Sequence, residues 1–212
     1  MGSITELRSF KMIRQCLATL TLSATALCAA AQPFPNKPVS LVVPYAAGGL
    51  TDNIARYFSA QLKDVWSQPV VVENKPGAGA SIGAAQVARA NPDGYSLLLG
   101  SVGMVTNPFM FKNLPYKPSD LAPLALVAMA PNVLYVHASV PANNVAELVA
   151  YARKNPGALT FASSGIGSSP HLAAELFAAR AGIEIVHVPY KGTGAAINDF
   201  LGGQVKAYFD TM

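Results

Sequence analysis

Four short glycine turns carry the residues of this sequence best placed to do chemistry: residues 43–52, "VPYAAGGLTD"; 75–83, "KPGAGASIG"; 163–171, "SSGIGSSPH"; and 190–195, "YKGTGA". In the first, Gly48 and Gly49 permit positive φ and let a ligand approach the backbone closely, while Thr51 or Asp52 stands where it would cap the helix that follows. A turn at a helix N-terminus presents unpaired N–H groups. It therefore binds an anion through amide dipoles and needs no lysine or arginine of its own. One such turn alone reads as a tight loop, and it is the recurrence that points to an anion cradle. In the third turn the serines offer caps and ligand hydroxyls, and Pro170 suits the first turn of a helix. His171 then lies in that first turn. A lone histidine there is more often a structural hydrogen-bonding residue than a catalyst, and the helix N-terminus disfavours its protonation.

Enzyme templates fare poorly. The sequence has no Walker sequence ending in Gly-Lys-Ser/Thr and no His-Glu-x-x-His. "GAGASIG" approaches the dinucleotide fingerprint but has one residue too many before its last glycine, and the chain about 20 residues on, "SLLLGS", lacks an acid to hold a ribose. His137, His171 and His187 show no metal-ligand spacing, and Asp52, Asp199 and Asp210 are scattered without forming a carboxylate pair.

The elements that must position these turns alternate between strand and helix. "VSLVVPY" is a β-branched run, and the residues after its glycines place Ile54, Phe58 and Leu62 on one helical face. A second unit has Val70 to Val72 as strand, Gly77 and Gly79 in the turn, Ala84 to Ala90 as helix and "NPDG" as its stop; "YSLLLG" is a third strand. Residues 113–132, "NLPYKPSDLAPLALVAMAPN", are rich in proline and read as a crossing connection at a domain boundary. Beyond it come a strand "VLYVHA", a helix with Val145, Leu148 and Val149 inward, and two more strand-turn-helix units, closing on a strand from Val205 to Phe209. Such alternation implies an α/β fold with a mostly parallel sheet.

The 212 residues suffice for one or two domains with a sizeable core, and a 51% hydrophobic composition fits that. Arg8, Lys11 and Arg14 precede an uncharged 16-residue run, "CLATLTLSATALCAAA", which is short for a membrane span and reads as a signal peptide. Ala29 and Ala31 place cleavage before Gln32, the start is Met1 or Met12 because a leader from Met1 is a little long, and Leu27 argues against a lipid on Cys28. Both cysteines, Cys16 and Cys28, fall in this leader, which leaves no disulfide or thiolate metal site. Without it, 12 basic and 10 acidic residues remain, a net charge of +2, and no basic cluster suggests nucleic acid.

Together "VPYAAGGLTD", "VVENKPGAGASIGAAQVARANPDGYSLLLG", "ASSGIGSSPHLAAELF" and "HVPYKGTGAAINDFLGGQVKAYFD" resemble the Bug, or TctC-like, periplasmic solute receptors of tripartite tricarboxylate transporters, in order from about Phe34 onward. The resemblance implies a two-lobed type II periplasmic-binding (Venus flytrap) fold that closes on a small mono- or dicarboxylate, held largely by backbone amides and water, with no cofactor, no metal and no catalysis. Carried over, the first-lobe cradle is Tyr45, Ala46, Gly48, Gly49 and Asp52 with Gly77, Ala78 and Gly79. The second-lobe cradle is Ser163, Ser164, Gly165, Gly167, Ser168 and Ser169, with Ser101, Tyr190 and Asp210 as wall residues. The implied organisation is a signal peptide over residues 1–31, lobe 1 over 32–130 and an incomplete lobe 2 over 131–212, since relatives continue beyond "YFDT". Ala47 and Ala80 stand where relatives often carry proline or glycine, and Thr193-Gly194 replaces a more usual serine-alanine-proline run. The expected partners are a small organic carboxylate and membrane transporter subunits, or a sensor partner, for a protein that is monomeric when complete. The competing reading is an α/β oxidoreductase or transferase that uses the same turns for a phosphate-bearing cofactor. Export and the missing acidic ribose partner both weigh against it.

Overall fold

Valines dominate the first strand, β1 (Val39–Val43), and Val39, Val42 and Val43 are almost wholly buried. Burial of both faces is what a central parallel strand requires. β1 accordingly lies between β2 (Val70–Asn74) and β3 (Ser96–Leu98), parallel to each. The computed structural model describes residues 33–211, so the leader, its cleavage point at Gln32 and both cysteines lie outside the described residues. Lys37–Met212 form one compact unit.

Helix α1 (Leu50–Trp66) covers this sheet. Ile54, Phe58 and Leu62 are half-buried as the spacing predicts, and Ala55, Leu62 and Trp66 pack on the β1 core. Helix α2 (Ser81–Ala88) follows the second glycine turn, starting and ending a little earlier than its composition suggests. A further helix, α3 (Gly103–Met110), has no counterpart among the elements expected from sequence. Its residues, "GMVTNPFM", include β-branched residues and Pro108 inside the helix, so propensity argues against it. Tertiary contacts hold it instead, chiefly through the fully buried Asn107.

The proline-rich connection contains one 3₁₀ turn (Pro118–Asp120) and then runs without strand or helix to residue 131. A second sheet follows, built from β4 (Asn132–Val136), β5 (Thr160–Ser163), β6 (Val186–Pro189) and β7 (Ala207–Thr211) in the order β4-β7-β5-β6. β5 runs parallel to β6 and β7, and only β4 is antiparallel, to β7. Helices α4 (Val145–Lys154), α5 (Ser169–Ala181) and α6 (Thr193–Leu201) cross between or cover these strands. The core beneath gathers Phe161, Leu148, Leu159 and Ala207, with Phe209 stacked on Phe161 at a centroid distance of 5.8 Å. Val145, expected inward, is instead 56% exposed, because α4 turns Leu148 and Ala152 to the sheet and sets Val145 in its first turn above the core edge. Val205 is buried but precedes β7 rather than opening it.

In both sheets each glycine turn follows the carboxyl end of a parallel strand, so the fold gathers turns that lie far apart in sequence at one rim.

Candidate functional site

The four turns meet. Ala46 N–H donates to the Lys191 carbonyl at 2.9 Å, tying the first turn to the fourth. A side chain at Gly192 would lie 2.8 Å from the Ala46 nitrogen, and one at Gly194 would strike the Ala47 carbonyl. A side chain at Gly79 would lie 2.6 Å from the Ile166 carbonyl, so the second and third turns touch as well. These glycines are needed for the close approach of one backbone to another. This is a use beyond the ligand cradle that the sequence alone suggested.

Asp52 was expected to cap α1 or face a ligand. The N-cap is Gly49, in an extended conformation with no side-chain cap, and Asp52 sits in the first turn at 2% exposure. Its carboxylate accepts from Gly48 N–H at 3.0 Å, Arg56 Nε at 3.0 Å and Asn74 Nδ2 at 2.9 Å. Burial alone would raise this carboxyl, but the bonds from Arg56, Gly48 and Asn74 outweigh it and hold it below the usual range. Asn74 also donates to the Tyr45 carbonyl at 3.1 Å, so one carboxylate and one amide brace both flanks of the first turn. Tyr45 itself is buried, and its hydroxyl meets Ser101 Oγ at 2.5 Å. Burial raises that phenol above its ordinary range.

The third turn is braced from below. Ser163 Oγ accepts from Gly165 N–H at 3.1 Å and pairs with His187 Nε2 at 2.6 Å. Ser168 Oγ donates to the Gly165 carbonyl at 2.6 Å, and Gly167 N–H donates to His171 Nδ1 at 3.1 Å. His171 is therefore a structural acceptor, and burial, with some opposition from Glu175, is what lowers its readiness to protonate. Ser169 Oγ exchanges hydrogen bonds with the Asn132 amide, away from the turn.

Between the second, third and fourth turns lies a cavity of about 200 Å³. That is below the roughly 300–1,000 Å³ of sites for drug-sized ligands and suits a small molecule. Of the expected residues, Gly77, Ala78, Gly79, Ser164, Gly165 and Tyr190 line it. Tyr45, Ala46, Gly48, Gly49, Asp52, Ser101, Ser163, Gly167, Ser168, Ser169 and Asp210 are not in its lining. Tyr190 donates its hydroxyl to Asp199 at 2.7 Å and, chiefly through burial, is pushed up to about 12. Asp210 accepts from Thr193 Oγ1 at 3.2 Å. Pro44, Ala80, Phe111, Ile166, Pro189 and Lys191 complete the wall, and residue types and spacing give none of these a wall role.

The amides divide into two sets. Those of Ala46, Gly48, Gly165 and Gly167 are spent inside the protein, as described above. Those of Gly77, Ala78, Gly79, Ser164 and Ile166 make no hydrogen bond among the described residues, and all five residues line the cavity. Ala78 and Ala80 hold the second turn open at φ of 47° and 75°, values that L residues adopt at a cost of roughly 1–2 kcal/mol each. Strain at a ligand-facing turn is where such a cost is commonly found. Among the described residues, no group of three or more His, Cys, Asp or Glu could hold a metal ion.

A family model described as the tripartite tricarboxylate transporter family receptor matches residues 54–212. A UPF0065 protein of Bordetella pertussis (strain Tohama I) is 43% identical over 207 residues, which is 97% of this chain and 64% of that protein. The solved structure of R. palustris Rpa4515 with adipate aligns with a TM-score of 0.82 at 38% identity, over 84% of this chain and 60% of the other. MatC (Rpa3494) from Rhodopseudomonas palustris with bound malate aligns with a TM-score of 0.76 at 34% identity, over 84% of this chain and 61% of the other. This chain thus spans 60–64% of the length of these three proteins.

Proposed function

The chain belongs to the tripartite tricarboxylate transporter receptor family, and from that premise we propose that it is an exported solute receptor that captures a small mono- or dicarboxylate for a membrane transporter. The observation that carries this reading is the set of five unpaired amides around one cavity, supplied by turns of both sheets. Unpaired N–H groups of turns that lead into helices favour a negative charge, and neither the second nor the third turn needs a cation to do so. Phe111, Ile166, Pro44 and Pro189 give the rest of the wall an apolar character, matched to a short carbon chain. The two solved relatives named above hold adipate and malate, both small dicarboxylates, which supports the same ligand class here.

In this reading the protein catalyses nothing. The turns exclude water around the carboxylate, the amides replace its hydration, and a membrane partner recognises the protein with its turns in contact. Native mass spectrometry of the protein purified from its own source tests the proposal. A retained acid of small mass, displaced by added dicarboxylate, is the expected result. A retained nucleotide or sugar phosphate would overturn it in favour of a phosphate-binding enzyme.

A further inference from the structure

Helix α3 reaches both glycine turns from one side. From its inner face the Asn107 amide donates to the Gly79 carbonyl at 2.8 Å and to Ser81 Oγ at 3.1 Å, which fixes the second turn to the start of α2. The next residue back, Thr106, donates its hydroxyl to the Gly167 carbonyl of the third turn at 2.7 Å. Gly167 has φ of +79°, and a side chain there would lie 3.2 Å from Asn107 Oδ1 and 3.4 Å from Thr106 Oγ1. Its bare Cα is thus seated on the Thr106–Asn107 face. Asn107 is fully buried, and its Oδ1 has no partner among the described residues. Phe111, just past the helix, lies against Gly79 and lines the cavity.

From this arrangement we propose that Thr106 and Asn107 are positioning residues that latch the two halves of the receptor together, Asn107 holding the first-sheet turn rigid and Thr106 drawing the second-sheet turn onto it. The inference rests on the receptor reading above, since a latch matters only if the turns part and meet. Chemically the latch is a neutral hydrogen bond that crosses from one sheet's elements to the other's. When the turns separate, water takes over the Gly167 carbonyl and the Thr106 hydroxyl turns to the Val102 carbonyl, 3.3 Å away in its own helix, so the bond biases the equilibrium gently and leaves the ligand able to depart. One such bond corresponds to a roughly twofold to twelvefold bias in the closed-to-open ratio. A stronger tie would hold the turns shut without solute. Dissociation should therefore feel the latch, whereas association begins with the turns apart and should not.

The test uses the full-length protein with spin labels at Lys63→Cys on α1 and Arg180→Cys on α5, both exposed in a described region that contains no cysteine. Distance distributions are recorded with and without adipate or malate for the parent, Thr106→Val, Thr106→Ser and Thr106→Ala. Valine keeps the shape and removes the donor, while serine restores it. The expected result is a shift toward the longer separation in the valine and alanine variants, and not in serine, with ligand dissociation faster by roughly threefold to tenfold and association changed less than about twofold. The alanine variant stands in if valine fails to fold. The latch is overturned if the valine, alanine and parent distributions coincide, or if serine behaves as valine does. Should neither acid bind, the receptor reading fails while the distance distributions still judge the latch.

Discussion

His171 and His187 stack with their ring centroids 4.0 Å apart beneath the turn of residues 163–169, one accepting from Gly167 N–H and the other paired with Ser163 Oγ. Burial, and then the neighbouring His171, depresses His187 to about 4. Burial likewise lowers His171, with Glu175 3.7 Å away working in the opposite direction. An unfolded histidine titrates near 6.5, so between about 6.5 and about 4 the unfolded chain binds more protons than the folded one. Stability from the neutral pair is complete above that window and is lost as the pH falls through it. Urea midpoints at about pH 7 and about pH 4.5 should therefore drop further for the parent than for His187→Gln. Equal drops would show that the pair does not titrate with folding.

Asp52→Asn keeps the shape of the buried carboxylate but turns one acceptor oxygen into a donor that faces Gly48 N–H, Arg56 or Asn74. Losing a charge-assisted acceptor of buried donors should cost about 1.5–3 kcal/mol, read as a lower urea midpoint at constant slope. An unchanged midpoint would mean that the first turn is held by backbone geometry alone.

Gly79 and Gly157 both have positive φ, at +59° and +75°, but a side chain at Gly79 would lie 2.6 Å from the Ile166 carbonyl whereas nothing lies within 4 Å of one at Gly157. Gly157→Ala should show the backbone cost alone, roughly 1–2 kcal/mol. Gly79→Ala should add an overpacking cost of about 1–3 kcal/mol and weaken carboxylate binding. Similar losses in both variants would show that the seam between the second and third turns yields freely.

The glycine turns and the strand-helix alternation are readable from residue types, because glycine at the end of a β-branched run has few other uses. The same signal misled on roles. Gly192 and Gly194 serve backbone contact, and Asp52 serves the turn from beneath, because partners from distant elements decide what a residue faces. Helix α3 left no trace in propensity, since its stability comes from Asn107 and the turns it holds. With it were missed Thr106, Asn107 and Phe111. His171 and His187 gave no spacing signal because a helix and a neighbouring strand bring them together.

Leu124, Leu126 and Met129 are 79%, 79% and 86% exposed on a stretch that is neither strand nor helix. Clustered apolar exposure of this kind favours association. The 212-residue chain is expected to show a mass by light scattering that rises with concentration, and Leu126→Lys with Met129→Lys should suppress the rise. A concentration-independent monomer mass for the parent would contradict this.

In the proposed receptor, unpaired backbone amides, and not the side chain of Lys191 on the cavity wall, hold the ligand charge. Replacing the Ala78 amide by an ester, with lactic acid in place of alanine in the full-length protein, removes one N–H and leaves every side chain unchanged. Calorimetric titration with a dicarboxylate should then lose about 1.5–3 kcal/mol, on the order of tenfold to a hundredfold in affinity, whereas Lys191→Ala should cost at most about 1 kcal/mol. Unchanged affinity in the ester with binding abolished in Lys191→Ala would contradict the account and make the site a cationic pocket.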